Sequence, residues 1–253
     1  MGLYAEALFL TTIFTAKFVP PLNEIAFPAY ARIQDDLAAL SWSFLKAVRL
    51  IMLIACPIYF GMAVTAPELV HVVLGEKWLP MAPIVSVLAL VMPLMTLQIL
   101  FAPANNALGK PHISARVTMM GALIMSLSFL IGVQYGVMGL AYAWVGGFPF
   151  LTAFTFWVSK GHLGLNAKGL LSALWPGLSA AILMAGLVYG AGLLLPDMAV
   201  YFRLIVLLVI GGCAYLGLLY IAARPTLMEL IQLVLRRRTV PQKGTDSAAS
   251  QHE

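Results

Sequence analysis

The chain has 253 residues, 62% of them apolar and 10% charged, with 15 Lys and Arg, 10 Asp and Glu, 4 His and a formal net charge of +5. Soluble domains run about 45–50% apolar and about 25% charged, so a globule surrounded by water is excluded. Most of the surface must face lipid, and at about 20 apolar residues per helical crossing the length allows roughly seven or eight crossings.

The first crossing spans Leu3 to Phe27 and is as apolar as the others, although it carries Glu6, Lys17 and Glu24. Leu50 to Pro67 gives the second. Residues 67–80, PELVHVVLGEKWLP, read as one or two amphipathic turns closed by Gly75, with Trp78 at headgroup depth. Trp78 to Gly109 is a long third crossing, bent by Pro83, Pro93 and Pro103. Val117 to Ser159 holds 43 residues without Asp, Glu, Lys, Arg or His, too many for one crossing, and Gln134-Tyr135-Gly136 divides it into two. Gly169 to Pro196 and Leu204 to Ala223 complete seven. Runs such as LIVLLVIGG need a helix to satisfy their backbone within one segment, and the alternation of outer-membrane strands is absent, so the fold class is all-α and polytopic.

Beyond Arg224-Pro225, the residues Leu227, Leu230, Ile231, Val234 and Leu235 recur at helical spacing and lead into Arg236-Arg237-Arg238. Residues 224–238 therefore read as an interfacial helix held to anionic lipid by its basic end, or as a docking site for a cytoplasmic partner. Residues 239–253 read as a polar, disordered cytoplasmic tail. Cys56 and Cys213 fall within crossings and serve as packing residues.

Orientation follows from the basic residues, which cytoplasmic connections retain. One side holds Arg32, Lys46, Arg49, Lys110, Arg116, Lys160, Lys168, Arg224, Arg236, Arg237, Arg238 and Lys243; the other holds Lys77 and Arg203. The C-terminus is therefore expected in the cytoplasm. Seven crossings then put Met1 outside, although its surroundings match neither a signal peptide nor the myristoylation pattern.

Chemistry-bearing motifs are sparse. His71, His112, His162 and His252 have no second metal-type ligand at useful spacing, Gly109-Lys110 is followed by Pro111 rather than Ser or Thr, and no GxSxG elbow occurs. No metal, cofactor, nucleic acid or enzymatic reaction is expected. Polar groups within crossings are expensive in lipid and tend to face an interior cavity. Glu6, Lys17 and Glu24, spaced by eleven and seven residues, project within roughly 20° of one line on a helix. Such a stripe either lines a cavity or consists of an interfacial Glu6 and a snorkelling or paired Lys17. Pro20 and Pro21 free backbone carbonyls near Asn23 and Glu24. Gln98 and Asn105, seven apart and next to Asn106, form a second polar stripe. Arg116 is an interface anchor or a phosphate contact. Gly186 and Gly190 form a GxxxG expected to pack helices closely.

Three segments carry a resemblance: GLYAEALFLTTIFTAKFVPPLNEIAFPAYARIQDD (residues 2–36), GEKWLPMAPI (75–84) and ALGKPH (107–112). In order and composition they resemble the bacterial polysaccharide transporter family, the Wzx-type oligosaccharide flippases of the multidrug/oligosaccharidyl-lipid/polysaccharide superfamily. The resemblance implies translocation of undecaprenyl-pyrophosphate-linked oligosaccharide across the bacterial inner membrane for capsule, exopolysaccharide or O-antigen synthesis. It also implies about fourteen helices in two lobes, of which this chain supplies the carboxyl-terminal one. Residues 1–160 would be five helices of that transport lobe and 161–223 two additional ones. The amino-terminal lobe is expected from a truncated or split frame or a separately encoded partner chain, with membrane lipids, a glycan polymerase and export machinery as further partners. In this picture Lys17, Arg32 and Arg116 attract pyrophosphate, Gln98 and Asn105 hydrogen-bond sugar, and Glu24 carries a proton or sodium ion. A small-molecule exporter of the same superfamily, a membrane-embedded polysaccharide polymerase and a non-functional gene product are the alternatives.

Overall fold

The computed structural model describes residues 2–196 and 198–222. Its helices are α1 (Gly2–Ala31), α2 (Leu37–Val64), α3 (Ala66–Leu74), α4 (Ala82–Ala107), α5 (Pro111–Gly132), α6 (Gly136–Ser159), α7 (Ala167–Leu194) and α8 (Val200–Ala222), with 3-10 turns at Glu76–Met81 and Val133–Tyr135. Among the described residues there is no strand. The fold is all-helical, and six apolar stretches are long enough to cross a membrane. One of them, Pro111–Ser159, has 49 residues and contains both α5 and α6, so among the described residues the long helices number seven, as the charge-free runs predict. The expected surface helix 224–238 and the expected tail 239–253 lie outside the described residues.

Local chemistry explains the boundaries. Asp36 caps α2, its Oδ1 accepting from the amides of Ala38 and Ala39 at 3.0 Å each, which satisfies two otherwise orphaned donors. The helix therefore starts at Leu37, thirteen residues before the predicted crossing, and takes in Lys46 and Arg49 rather than leaving them in a connection. Lys46 stays compatible with the helix by lying over the Trp42 ring, 4.7 Å from its centroid. Asn166 caps α7 by accepting from the Gly169 amide. The α5–α6 hairpin turns at Gly136, whose φ of 71° suits glycine. At its neck Gly132 and Gly139 approach so closely that a Cβ on either would overlap the other's carbonyl oxygen.

Short connections make successive long helices antiparallel. α4 lies at the centre, with α1, α2 and α6 against it; α7 packs along α2, α8 along α7, and α5 along α6. Aromatic contacts fill the α2–α4 seam, where Phe44 and Phe101 stand 5.0 Å apart. The α2–α7 seam closes at Gly177, where a Cβ would stand 3.1 Å from the Met52 carbonyl oxygen. Tyr215 of α8 donates to the Leu53 carbonyl at 2.8 Å. The expected packing role of Gly186 and Gly190 is corrected here: a Cβ on either meets nothing within 4 Å. The contact face of α7 instead runs through Leu170, Ala173, Gly177, Ala181 and Met184, and the GxxxG pair lies off that line. At the end opposite the basic connections, Arg203 pairs with Glu68 at 3.1 Å and donates to the Gly192 carbonyl at 2.7 Å, fastening α3 to α7 and α8.

Candidate functional site

α1 has two faces of opposite character. Ala7, Thr11, Thr15, Val19 and Tyr30 are buried, and at about 100° per residue they centre on a direction roughly opposite to the line of Glu6, Lys17 and Glu24. All three of those charged residues are exposed. The buried face is fixed by hydroxyls from three helices: Thr15 contacts the Tyr59 hydroxyl of α2 and lies 3.3 Å from the Thr96 hydroxyl of α4, which itself donates to the Met92 carbonyl at 2.9 Å. Farther along, Trp144 Nε1 of α6 donates to the Tyr4 hydroxyl at 2.7 Å. Together these contacts set the rotation of α1 and hence the direction in which its charges point.

Prolines enrich the same helix with free acceptors. Pro20, Pro21 and Pro28 lie inside α1, and each lacks the N–H that would bond the carbonyl four residues back. The carbonyls so released belong to Ala16, Lys17 and Glu24. Two hollows flank this stretch. A groove of 610 Å³ between α1 and α4 is lined by Asn23, Glu24, Phe27, Ile99, Pro103 and Asn106, among others. A smaller one of 230 Å³, lined by Asn23, Tyr30, Ser43, Ala47 and Leu100, reaches α2. Asn23 borders both.

The six candidate residues separate into two sets. Lys17, Glu24, Arg32 and Arg116 are exposed, with Arg32 in the turn after α1 and Arg116 near the start of α5. Gln98 and Asn105 do not stand on an open surface. Gln98 Nε2 donates to Thr155 Oγ1 at 2.7 Å and Asn105 Nδ2 to Ser159 Oγ at 2.9 Å, both across the α4–α6 seam. Asn105 is 1% exposed, so in this arrangement its amide is engaged within the bundle. The reason is register: α4 and α6 run parallel, and their polar residues meet each other before they meet a cavity. The carbonyl oxygens of both amides remain buried without a partner among the described residues. Asn106, beside them, faces outward and accepts from Ser114 Oγ at 2.9 Å.

Comparison with known proteins bears on the whole arrangement. Residues 1–83 match the family described as polysaccharide biosynthesis protein. The chain is 26% identical over 241 residues to the teichuronic acid biosynthesis protein TuaB of Bacillus subtilis, covering 92% of this chain and 49% of that protein. A shorter similarity, 32% over 90 residues, links it to the lipopolysaccharide biosynthesis protein WzxC of Escherichia coli, across 36% of this chain and 18% of WzxC. In three dimensions it is similar to the lipid II flippase MurJ in an inward closed conformation, with a TM-score of 0.68 at 15% identity, over 89% of this chain and 48% of MurJ. The chain thus spans about half the length of TuaB and of MurJ. The expected likeness to the bacterial polysaccharide transporter family is borne out in sequence, and the fold is like that of MurJ.

Proposed function

We propose that this chain supplies one wall of the translocation cleft of an inner-membrane flippase for undecaprenyl-pyrophosphate-linked oligosaccharide, its basic end in the cytoplasm. The observation that carries this reading is the exposed stripe Glu6, Lys17 and Glu24, diametrically opposite the face that anchors α1 to the bundle. Ionisable groups at mid-depth belong against water or a polar partner. The same exposed face also bears Phe9 and Ile13, so it offers both apolar surface for a polyprenyl chain and charge for a pyrophosphate.

Roles follow from position. Arg32 and Arg116 stand at the basic end and would draw the pyrophosphate in, and Lys17, near the midpoint of α1, would hold it partway. Glu24, with its carbonyl released by Pro28, would carry the coupling proton or sodium ion. Gln98 and Asn105 act indirectly, by tying α6 to α4 behind the cleft. A second wall is required, because alternating access rocks one lobe against another around a midplane site. No covalent bond is made or broken. The test places the chain within a complete transporter and changes Lys17 or Glu24 to Ala. Glycan export should fall with expression unchanged; export at the unaltered level overturns the assignment.

A further inference from the structure

We propose that Lys110 and His162 form a binding site for the phosphate headgroup of an anionic phospholipid, at the basic end and separate from the α1 stripe. Lys110, just before α5, and His162, in the α6–α7 connection, lie 52 residues apart in sequence, yet Lys110 Nζ is 2.8 Å from His162 Nδ1. An ammonium has only donors, so Nδ1 accepts and the imidazole is neutral, with its proton on Nε2. The pair then presents two ammonium N–H groups, one imidazole N–H and a single positive charge. Among the described residues no carboxylate lies within ion-pair distance of Lys110 or His162. The two remaining ammonium N–H groups, on a cation positioned by His162 and uncompensated by a carboxylate, match the oxygens of a phosphate diester, while the imidazole N–H lies on the far side of the ring and is left to a separate acceptor.

The loop that carries His162 is held ready. Ser159 O accepts from the amides of His162 and Leu163 at 3.1 and 3.0 Å, Ser41 Oγ donates to the Gly164 carbonyl at 3.1 Å, and Leu163 is fully buried. A site fixed in advance loses little freedom on binding. Lipid is favoured over a soluble anion by depth: the pair joins the ends of membrane-crossing helices, and Trp157, 65% exposed one turn before Lys160, marks the headgroup level. Lys160 and Lys168 flank the loop and add to the local field. The proposal rests on the membrane reading alone and does not depend on the transport role of Lys17 or Glu24.

The test is native mass spectrometry of the full chain in detergent, titrated with phosphatidylglycerol and, separately, phosphatidylcholine. Phosphatidylglycerol should be retained preferentially. Lys110→Gln should weaken its binding roughly fivefold, His162→Gln, which removes no charge, should weaken it by a smaller factor, Lys110→Arg should retain it, and Lys77→Gln, at the opposite end, should leave it unchanged. Equal retention of the two lipids, or an undiminished preference in Lys110→Gln, overturns the proposal. So does a folded Lys110→Arg as weak as Lys110→Gln. Competitor arms separate the sources: displacement by inorganic phosphate would make this a soluble-anion site, and displacement by farnesyl pyrophosphate would make it part of the substrate path. Either result overturns the phospholipid assignment.

Discussion

The hydroxyl cluster beneath α1 makes a quantitative prediction. Tyr59 is fully buried, its ring stands edge-on to Phe14 with centroids 5.6 Å apart, and its hydroxyl contacts Thr15. Tyr59→Phe removes only that oxygen. Interhelical hydrogen bonds in membrane proteins average about 0.6 kcal/mol and reach about 1.7, and Thr15 keeps a fallback contact with Thr96 at 3.3 Å. The single variant should therefore lose about 0.6–1.7 kcal/mol, equivalent to a few degrees of melting temperature for a chain of this size. Thr15→Val removes both cross-helix contacts and should cost more. The double variant should fall short of additivity by about 0.6 kcal/mol or more, the coupling expected of groups in contact. Thermal unfolding of the four proteins in one detergent measures the cycle. A rotational anchor has a second signature: in a background lacking Cys56 and Cys213, a cysteine at position 17 should react with a water-soluble maleimide at a changed rate once Tyr59 is Phe. Strict additivity together with an unchanged labelling rate would refute the idea that this cluster sets the direction of the α1 charges.

Three further outcomes are expected. Gly177→Ala should destabilise by about 1–3 kcal/mol, because its Cβ would press on the Met52 backbone at 3.1–3.2 Å, while Gly186→Ala and Gly190→Ala, with open space around them, should be neutral or slightly stabilising in the same melts. Asp36→Ala, which strands two amides at the start of α2, should cost about 1 kcal/mol, with Asp36→Asn largely preserving stability. Alkaline phosphatase fusions near Gly75 should be active and fusions near Lys110 and His162 inactive, since the latter connections lie at the basic end; the reverse pattern would invert the proposed orientation.

Helix number and class were legible because charge-free length is nearly sufficient to define a crossing: even the division of 117–159 followed from length and the Gln134-Tyr135-Gly136 break. The start of α2 was not, since the rule counts charges and does not see that Asp36 caps a helix that begins ahead of Lys46 and Arg49. The α1 stripe was legible from spacing alone. The partners of Gln98 and Asn105 were not legible, because periodicity gives the face of a helix but not what covers it; Thr155 and Ser159 stand against it, in a parallel register that only the fold reveals. The Thr15–Tyr59–Thr96 cluster left a partial trace, Thr11 and Thr15 four residues apart on the buried face, but nothing local points to Tyr59 or Thr96. The Lys110–His162 contact left none, because each residue lies in a connection whose partner depends on helix order. Glycine packing failed for a related reason: GxxxG names a spacing, whereas close approach depends on which α7 face meets α2.

Magnitudes decide what the α1 stripe requires of its surroundings. On insertion scales a Lys or Asp at the centre of a membrane helix costs about 2.5–3.5 kcal/mol, and Lys17 lies near the middle of the 30-residue α1. At about 1.5 Å per residue, Glu24 is roughly 10 Å from it along the axis and Glu6 roughly 16 Å, and among the described residues neither carboxylate pairs with the ammonium. Self-neutralisation therefore recovers little of the cost. Rotating the charges inward is no remedy, because that face meets Tyr59, Thr96 and aliphatic residues rather than a carboxylate. The hydroxyl anchor, worth about as much as one hydrogen bond, does not by itself offset the cost of Lys17 facing lipid. In the reading proposed above, water in a cleft or the polar surface of a second wall would offset that cost and leave the hydroxyl anchor to set the rotation. The same balance explains why a flippase would place its charges here, since a face that needs solvent or a partner in every state is well suited to exchange one for the other as the cleft opens and closes.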